Sequence, residues 1–449
     1  MTSLLRTPAA WPRVLLGRAD ALAQDPFDIE AATQAGAFRA LRTVVRDLGP
    51  TGTIAAVAAS GLRGRGGAGY PTADKWRACA NAAPGVRYVV ANGYGADPSA
   101  RTDEALLDAD PYAVIEGLAI AAYAVGASEA FLAVRGDRPE TAARLEAALA
   151  AAEEAGVLGE DLFGSGHDVW IRVRPVQGAY MLGEETVLLK ALEGRRGQPE
   201  QRPPYPTERG LHGKPTVVNN VQTLAAVPWI IREGAAAFAA IGSPAAPGTV
   251  LVAVRGPAGA GIAEVPLGTP LRELVGLAGG VGTGRQLKAL LVGGPSGGLL
   301  PPDLLDTPYE FGALRAAGAH LGSGSVVVAD DRACILDLAR LLTRFCATEA
   351  CGKTIPCRIG TWRLVEIADR AAEGLQKPSD PQLLEDLAHD IVASALCDHE
   401  RLATLALTSG MRYFRAELDD HLLRSSCPAG VCQPIAVTAT AARQELPLR

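Results

Sequence analysis

PYAVIEGLAIAAYAVGASEAFLAVRG, residues 111–136, decides the fold class. From Tyr112 to Val134 it is apolar almost throughout, yet Glu116 and Glu129 interrupt it and it contains Gly117 and Gly126. It therefore falls short of the ~18 consecutive apolar residues that a membrane helix needs. The segment is read as a buried helix followed by a strand, EAFLAVRG (129–136). Upstream, VRYVVAN (86–92) reads as a strand, and downstream RPETAARLEAALAAAEEAG (138–156) as a helix. This alternation predicts an α/β domain with a mainly parallel sheet.

Working outward, the α/β region occupies residues 1–241 and ends at the Pro/Gly-rich GSPAAPG (242–248). Residues 242–329 hold the strand GTVLVAVRG (248–256), an amphipathic TPLRELVGLAGG (269–280) and a second strand, LKALLVGG (287–294). They predict a small separate α+β module. From 330 to 449 the period becomes helical. In CILDLARLLTRF (334–345), residues Cys334, Leu338, Leu341, Leu342 and Phe345 share a face. TWRLVEIADRAAEGL (361–375), PQLLEDLAHDIVASALC (381–397) and RLATLALTSGMRYFRAELDDHLL (401–423) continue the pattern, which predicts a four-helix bundle.

The 449 residues, 48% hydrophobic and 20% charged, exclude a disordered or collagen-like chain. A net charge of −6 gives no electrostatic reason to expect nucleic acid. The first twenty residues lack the apolar core and cleavage site of a signal peptide, so a cytoplasmic protein without direct membrane insertion is expected. Seven of the eight cysteines lie beyond residue 330. Without a secretion signal that clustering favours a metal or cluster site over a disulfide framework.

Three motifs carry chemistry. In SGLRGRGGAGYPTADKW (60–76), Gly64, Gly66 and Gly69 satisfy G-x-G-x-x-G, and glycines let backbone amides approach a phosphate. No strand precedes the loop and no acid follows at ~20 residues, so a dinucleotide fingerprint is a poor match. GAYMLGEETVLLKALEGRRGQPEQRPPYP (178–206) places Glu184 and Glu185 at a helix start, where plain capping would suffice, followed by an Arg/Pro-rich run ending near Tyr205. GKPTVVNNVQTLA (213–225) holds Asn219 and Asn220, able to bind a ring edge or close a turn.

Taken together and in this order, these runs resemble the family of NADH-binding flavoprotein subunits of respiratory complex I and of NAD-linked hydrogenases and formate dehydrogenases. The likeness extends from about Val57 to Phe414. It implies an FMN- and NAD(P)H-binding α/β domain, a β-grasp (ubiquitin-like) module and a helical iron–sulfur domain. By resemblance, the loop Gly64, Arg65, Gly66, Gly67, Ala68 and Gly69 cradles the FMN phosphate with help from Lys75. Asn92, Gly183, Glu184, Val218, Asn219, Asn220 and Thr223 occupy positions around the flavin. Glu185 matches a carboxylate that contacts NADH, Tyr70 and Tyr205 aromatics that sandwich the adenine, and Arg202 a basic residue beside them. The implied activity is FMN-dependent oxidation of NADH or NADPH, with electrons passed through an iron–sulfur cluster to a partner, commonly a ferredoxin-like subunit.

Two departures qualify the resemblance. Where the family has Asn-Ala-Asp-Glu-x-Glu-Pro, this chain has Asn92-Gly93-Tyr94-Gly95-Ala96-Asp97-Pro98, so only Asp97 remains of three acids. Losing an acid near the ribose weakens discrimination against a 2′-phosphate. The family's Cys-x-x-Cys-x-x-Cys, with a fourth Cys about forty residues on, becomes Cys351, Thr354 and Cys357 with Cys397. A [4Fe–4S] cluster takes thiolate ligands, and a threonine hydroxyl is a hard, scarcely ionised substitute. Cys346 or the pair Cys427 and Cys432 are alternative donors. The last two, in CPAGVC, offer too few ligands to define a site themselves, and none of the six histidines shows metal-ligand spacing. The competing reading is a non-catalytic docking or assembly subunit that has lost the cluster.

Overall fold

Four apolar runs form strands in the computed structural model, which describes residues 4–432. They are β1 (Tyr88–Asn92), β2 (Glu129–Arg135), β3 (Trp170–Val176) and β4 (Thr216–Asn220). Their order is β3-β2-β1-β4, and every pairing is parallel. Val89, Val90 and Ala91 of the central strand are all buried, the continuous apolar run of a sheet covered on both faces. The main helices of this region are α1 (Thr72–Ala80), α2 (Thr102–Ala109), α3 (Pro111–Val125), α4 (Pro139–Glu154), α5 (Glu185–Leu192) and α6 (Val221–Glu233).

Helix α3 is the membrane-like segment, and all its residues are buried. Gly126 ends it with φ +73°, a left-handed cap that favours glycine. Gly117 serves a close approach instead. A Cβ there would lie 2.0 Å from the carbonyl oxygen of Leu224 in α6, so only glycine lets these helices cross so closely. Glu116 is a buried acid, accepting from the Leu41 N–H at 3.1 Å with Arg18 3.8 Å away. Arg18 also forks onto Asp110, which caps α3 through the Ala113 N–H. The charge that interrupts the apolar run is thus an interior ion pair. Among the described residues no helix is long and apolar enough to cross a membrane.

Register fixes the place of the site. Asn92 lies opposite Asn220, Ala91 opposite Asn219 and Val90 opposite Val218. The asparagines therefore meet at the carboxyl ends of β1 and β4, the edge at which open α/β sheets bind ligands.

Contacts group the chain into two units: Met1–Ala253 with Gly261–Thr269 and Pro308–Gly312, and Val254–Ala260 with Pro270–Thr307 and Ala313–Arg449. The segment read as one module, 242–329, is divided between them, because β5 (Thr249–Gly256) and β6 (Gly259–Pro266) each run through the boundary. Its other expected elements are present as α7 (Leu271–Leu277) and β7 (Leu287–Val292). In the second unit β7 pairs antiparallel with β8 (Gly298–Leu300) and β9 (Ser325–Asp330).

The helical region follows as α8 (Ile335–Glu349), α9 (Thr361–Ala372), α10 (Asp380–Ala393), α11 (Leu405–Tyr413) and α12 (Arg415–Arg424). Two expectations change here. The fourth predicted helix is split, with a short turn at Asp398–Leu402 and a break at Phe414 (φ −127°, ψ 34°). The two halves have different anchors. Ser409 of α11 accepts from the Leu299 N–H of β8, while Glu417 of α12 accepts from the Ile335 N–H at the start of α8. The buried face of α8 is Ile335, Leu336, Ala339, Thr343 and Cys346, rotated from the predicted one, and Leu341 is 62% exposed. Leu342 of the predicted face still packs against the core, and Leu338 and Phe345 are half-buried.

Candidate functional site

The glycine loop is shaped by a buried arginine. The Arg65 guanidinium donates to the carbonyls of Arg63, Thr249 and Pro247 at 2.8, 2.9 and 2.5 Å, and burial, reinforced by Arg63, pushes its pKa down to about 9. Its backbone N–H donates to Thr223 Oγ1 at 2.8 Å. Arg65 and Thr223 thus hold the loop's shape, and the Arg65 cation is engaged by carbonyls and inaccessible to a phosphate. The Gly64 N–H closes the loop on the Tyr70 carbonyl at 2.8 Å. Gly69 has φ +65°, and a Cβ there would fall 2.6 Å from the Phe311 ring. At Gly66 a Cβ would sit 3.4 Å from Asn220 Cβ. The loop leads directly into α1, so bare backbone lies beside a helix N-terminus, a fit for a phosphate group.

Lys75, in the first turn of α1, donates to Glu185 Oε2 at 2.7 Å and to the Val218 carbonyl at 3.0 Å. It therefore joins α1, α5 and β4 beside the loop. One Glu184 oxygen caps α5, accepting from the Thr186 and Val187 N–H groups at 2.9 Å, and the other takes Arg202. Arg202 is also 3.4 Å from Glu185. The capping reading of Glu184 is realised, and Arg202 adds a cation beside both carboxylates. Tyr70 and Tyr205 are more than half exposed, and Lys75 Nζ lies 5.9 Å from the Tyr70 ring centre.

The three asparagines are held by different partners. Asn219 accepts from Trp76 Nε1 at 2.9 Å. Asn220 caps α6 through the Gln222 N–H and donates to Asp103 at 2.8 Å. Asn92 donates to the Leu182 carbonyl at 3.2 Å, drawing the segment before Gly183 towards β1. Asp103, buried on α2, also accepts from Gln222 at 2.8 Å. Burial pushes its carboxyl up to about 6, against the hydrogen bonds from Gln222 and Asn220. A carboxyl raised in the folded state binds its proton more tightly there, so this stabilisation is full below the unfolded value and lost as pH rises through about 6. Between pH 4.5 and 7.5 the wild type should lose about 2 kcal/mol of stability relative to Asp103→Asn. Any pairing cost of the amide is constant with pH, so denaturant unfolding at the two pH values isolates the effect. Parallel pH profiles for the two proteins would refute it.

In the second unit, Cys351 precedes a short helical turn, Pro356–Gly360, which carries Cys357 into α9, and Cys397 follows α10. Burial pushes the Cys357 thiol up to about 12, with Glu400, Cys397 and Cys351 adding to it. Thr354 donates to Glu400 at 2.8 Å, and the other oxygen of that buried carboxylate accepts from the Leu396 N–H at 2.9 Å. Thiols are soft donors that suit iron, whereas the Thr354 hydroxyl, tied to Glu400, is hard. Cys346 lies inside α8, its thiol pushed up to about 12 by burial, then by Cys357 and Glu349. Cys427 and Cys432 group elsewhere, with Cys334 and His421, and so are not alternative donors here. His399 donates from Nε2 to the Cys346 carbonyl at 3.0 Å, a structural tie.

Residues 57–229 match the family described as the Nuo51 FMN-binding domain, and 337–421 match the NADH-ubiquinone oxidoreductase-F iron–sulfur binding region. The NADH-quinone oxidoreductase F subunit 2 of Rhizobium meliloti is 40% identical, over 88% of this chain and 94% of its own length. The chain belongs to the family of NADH-quinone oxidoreductase F subunits. NADP-reducing hydrogenase subunit HndC of Solidesulfovibrio fructosivorans is 39% identical, over 91% of this chain and 83% of that one. The structure of an H2-reduced NAD+-reducing [NiFe]-hydrogenase superposes with a TM-score of 0.82 at 32% identity, covering 99% of this chain and 72% of that one.

The segment after β1 is fixed by contacts to β2 and to the stretch before Gly183. Tyr94 is buried, donates to the Gly178 carbonyl at 2.7 Å, and has the Arg135 guanidinium 5.2 Å from its ring centre. The aromatic at position 94 is thus packed under an arginine of β2. Asp97 binds the Ser99 N–H and hydroxyl at 2.8 and 2.6 Å. Sequence reading missed Arg135, Phe311 and Glu400. The first two are remote in sequence from the segments they meet and leave no local signal. Glu400 had one, lying three residues after Cys397 on the turn that follows it.

Proposed function

We propose that this NADH-quinone oxidoreductase relative is an FMN-dependent NAD(P)H-oxidising enzyme that delivers electrons through an iron–sulfur cluster to a partner protein. The observation that carries the reading is the convergence of the side-chain-poor loop Gly64–Gly69, the Lys75–Glu185 pair and the asparagine ends of β1 and β4. FMN, when bound, supplies hydride acceptance from a nicotinamide and release of single electrons, and the cluster supplies their exit. Backbone amides of the loop and the Lys75 cation bind phosphate. Asn92, Asn219 and Asn220, fixed by Leu182, Trp76 and Asp103, present a rigid polar edge at the sheet terminus. Glu185, held between Lys75 and Arg202, orients the nucleotide, and Tyr70 and Tyr205 offer exposed π-faces to an adenine. Cys351, Cys357 and Cys397 hold the cluster. No side-chain acid or base is required, so these are binding residues.

The proposal includes three parts, 1–241, 242–329 with a β-grasp arrangement, and 330–449. It also includes a cytoplasmic location and a hetero-oligomer with a ferredoxin-like subunit, supported by relatives named as subunits of larger enzymes. Anaerobic stopped-flow mixing of the flavin-loaded protein with NADH and with NADPH tests the activity. Rapid bleaching by either is the expected result, and the ratio of the two rates reports how far Tyr94 and Gly95 have relaxed discrimination. A bound flavin that neither nucleotide bleaches would overturn the reading.

A further inference from the structure

The sulfur atoms of Cys334, Cys427 and Cys432 and a ring nitrogen of His421 all lie within 4.8 Å of one another. None of them belongs to the group Cys351, Cys357 and Cys397, and the three cysteines fall outside residues 337–421, which match the family's iron–sulfur region. We propose that these four residues form a structural zinc site of the Cys3His type, additional to the cluster.

Distances support a tetrahedron around one ion. With Zn–S near 2.3 Å and Zn–N near 2.0–2.1 Å, adjacent ligand atoms stand about 3.8 Å (S to S) and about 3.5 Å (S to N) apart. Cys334 Sγ is 3.7 Å from Cys432 Sγ and 3.4 Å from His421 Nε2. The sulfur separation is far beyond the ~2.05 Å of a disulfide. All four side chains belong to the second unit.

The surroundings prepare the donors. His421 Nδ1 is 2.8 Å from the Glu417 carbonyl, which can only accept, so Nδ1 carries the proton and Nε2 presents its lone pair to the sulfurs. A backbone acceptor fixing the tautomer in this way is the usual support of a metal-bound histidine. Cys334 is the N-cap of α8 and accepts from the Asp337 N–H at 3.5 Å, while Cys427 accepts from the Cys432 N–H at 3.4 Å. Each of these two sulfurs thus receives a backbone N–H. With four protein ligands no position is left for water or substrate, which makes the site structural. Binding displaces up to three thiol protons into solvent, and no oxidation is involved. The ion would tie the start of α8 to α12 and to the turn at 427–432, joining the beginning and end of the helical region.

The test uses the full chain. Protein produced with zinc in the medium is assayed for zinc and iron by elemental analysis, and cobalt(II) is exchanged into the zinc-depleted protein. About one zinc per chain, and cobalt bands typical of a tetrahedral thiolate-rich site, are expected. Cys432→Ser should cut zinc at least tenfold while leaving iron per chain unchanged, and Cys432→His should retain it. Should Cys432→Ser fail to fold, the cobalt spectrum of the wild type still decides. Folded wild type lacking zinc and giving no tetrahedral cobalt spectrum, a Cys334–Cys432 disulfide in mass spectra, or iron in place of zinc would each overturn the proposal.

Discussion

Lys75→Met should weaken FMN binding by about 10- to 100-fold while the protein remains folded. The Lys75 cation stands beside the loop Gly64–Gly69 at the start of α1, with Glu185 at 2.7 Å and the Val218 carbonyl at 3.0 Å. Hydrogen bonds to a charged group contribute about 1.5–3 kcal/mol, which is the range of the expected loss once the phosphate has no cation. Methionine retains the apolar stem, and Glu185 keeps Arg202 at 3.4 Å, so the cost to folding is small. Titration of apo-protein with FMN, followed by flavin fluorescence, measures the effect. Unchanged affinity would remove Lys75 from the phosphate site. By contrast, Gly69→Ala should act through the fold as well, since φ there is +65° and the Phe311 ring stands in the way.

The second large effect is a gain. Thr354→Cys completes the Cys-x-x-Cys-x-x-Cys run, and anaerobic reconstitution should raise the iron and sulfide content to about four per chain, with the magnetic signature of a reduced [4Fe–4S] cluster. In the wild type the same position presents a hydroxyl bound to Glu400 at 2.8 Å, a hard group in place of a soft thiolate. Wild-type iron should be lower and lost faster under chelator. The substitution removes one hydrogen bond from a buried carboxylate, but Glu400 retains the Leu396 N–H at 2.9 Å, limiting the destabilisation to about 1–3 kcal/mol. Iron content and chelator resistance that do not change would show that Thr354 does not limit the cluster, and Cys346 would then be the next donor to replace.

Where the chemistry is local, sequence reading reached the site residues. The glycine loop, GEE and the paired asparagines are contiguous runs, and the resemblance rests on their order. The division of labour within those runs was not legible. Arg65 sits between two loop glycines like a phosphate ligand, yet its side chain is enclosed by the carbonyls of residues as distant as Thr249. Asn220 is half cap and half clamp on Asp103, and the partner lies 117 positions away. His421 has no metal-ligand spacing to Cys334, and only the packing of α12 against the start of α8 brings them to 3.4 Å.

The sequence alone determined the parallel α/β class, since apolar runs at strand length alternating with helical periods have few other solutions. It also determined the family and the loss of one cluster cysteine, which are matters of residue identity. Tertiary structure decided which face of α8 is buried, where the last long helix breaks, and which cysteines share a site. Those outcomes depend on competition among partners far apart in the chain. The buried face of α8 combines Ile335 and Leu336 with Ala339, Thr343 and Cys346, and thiols group according to where helix ends meet. Periodicity records which side chains share a face, and only packing selects the face that turns inward.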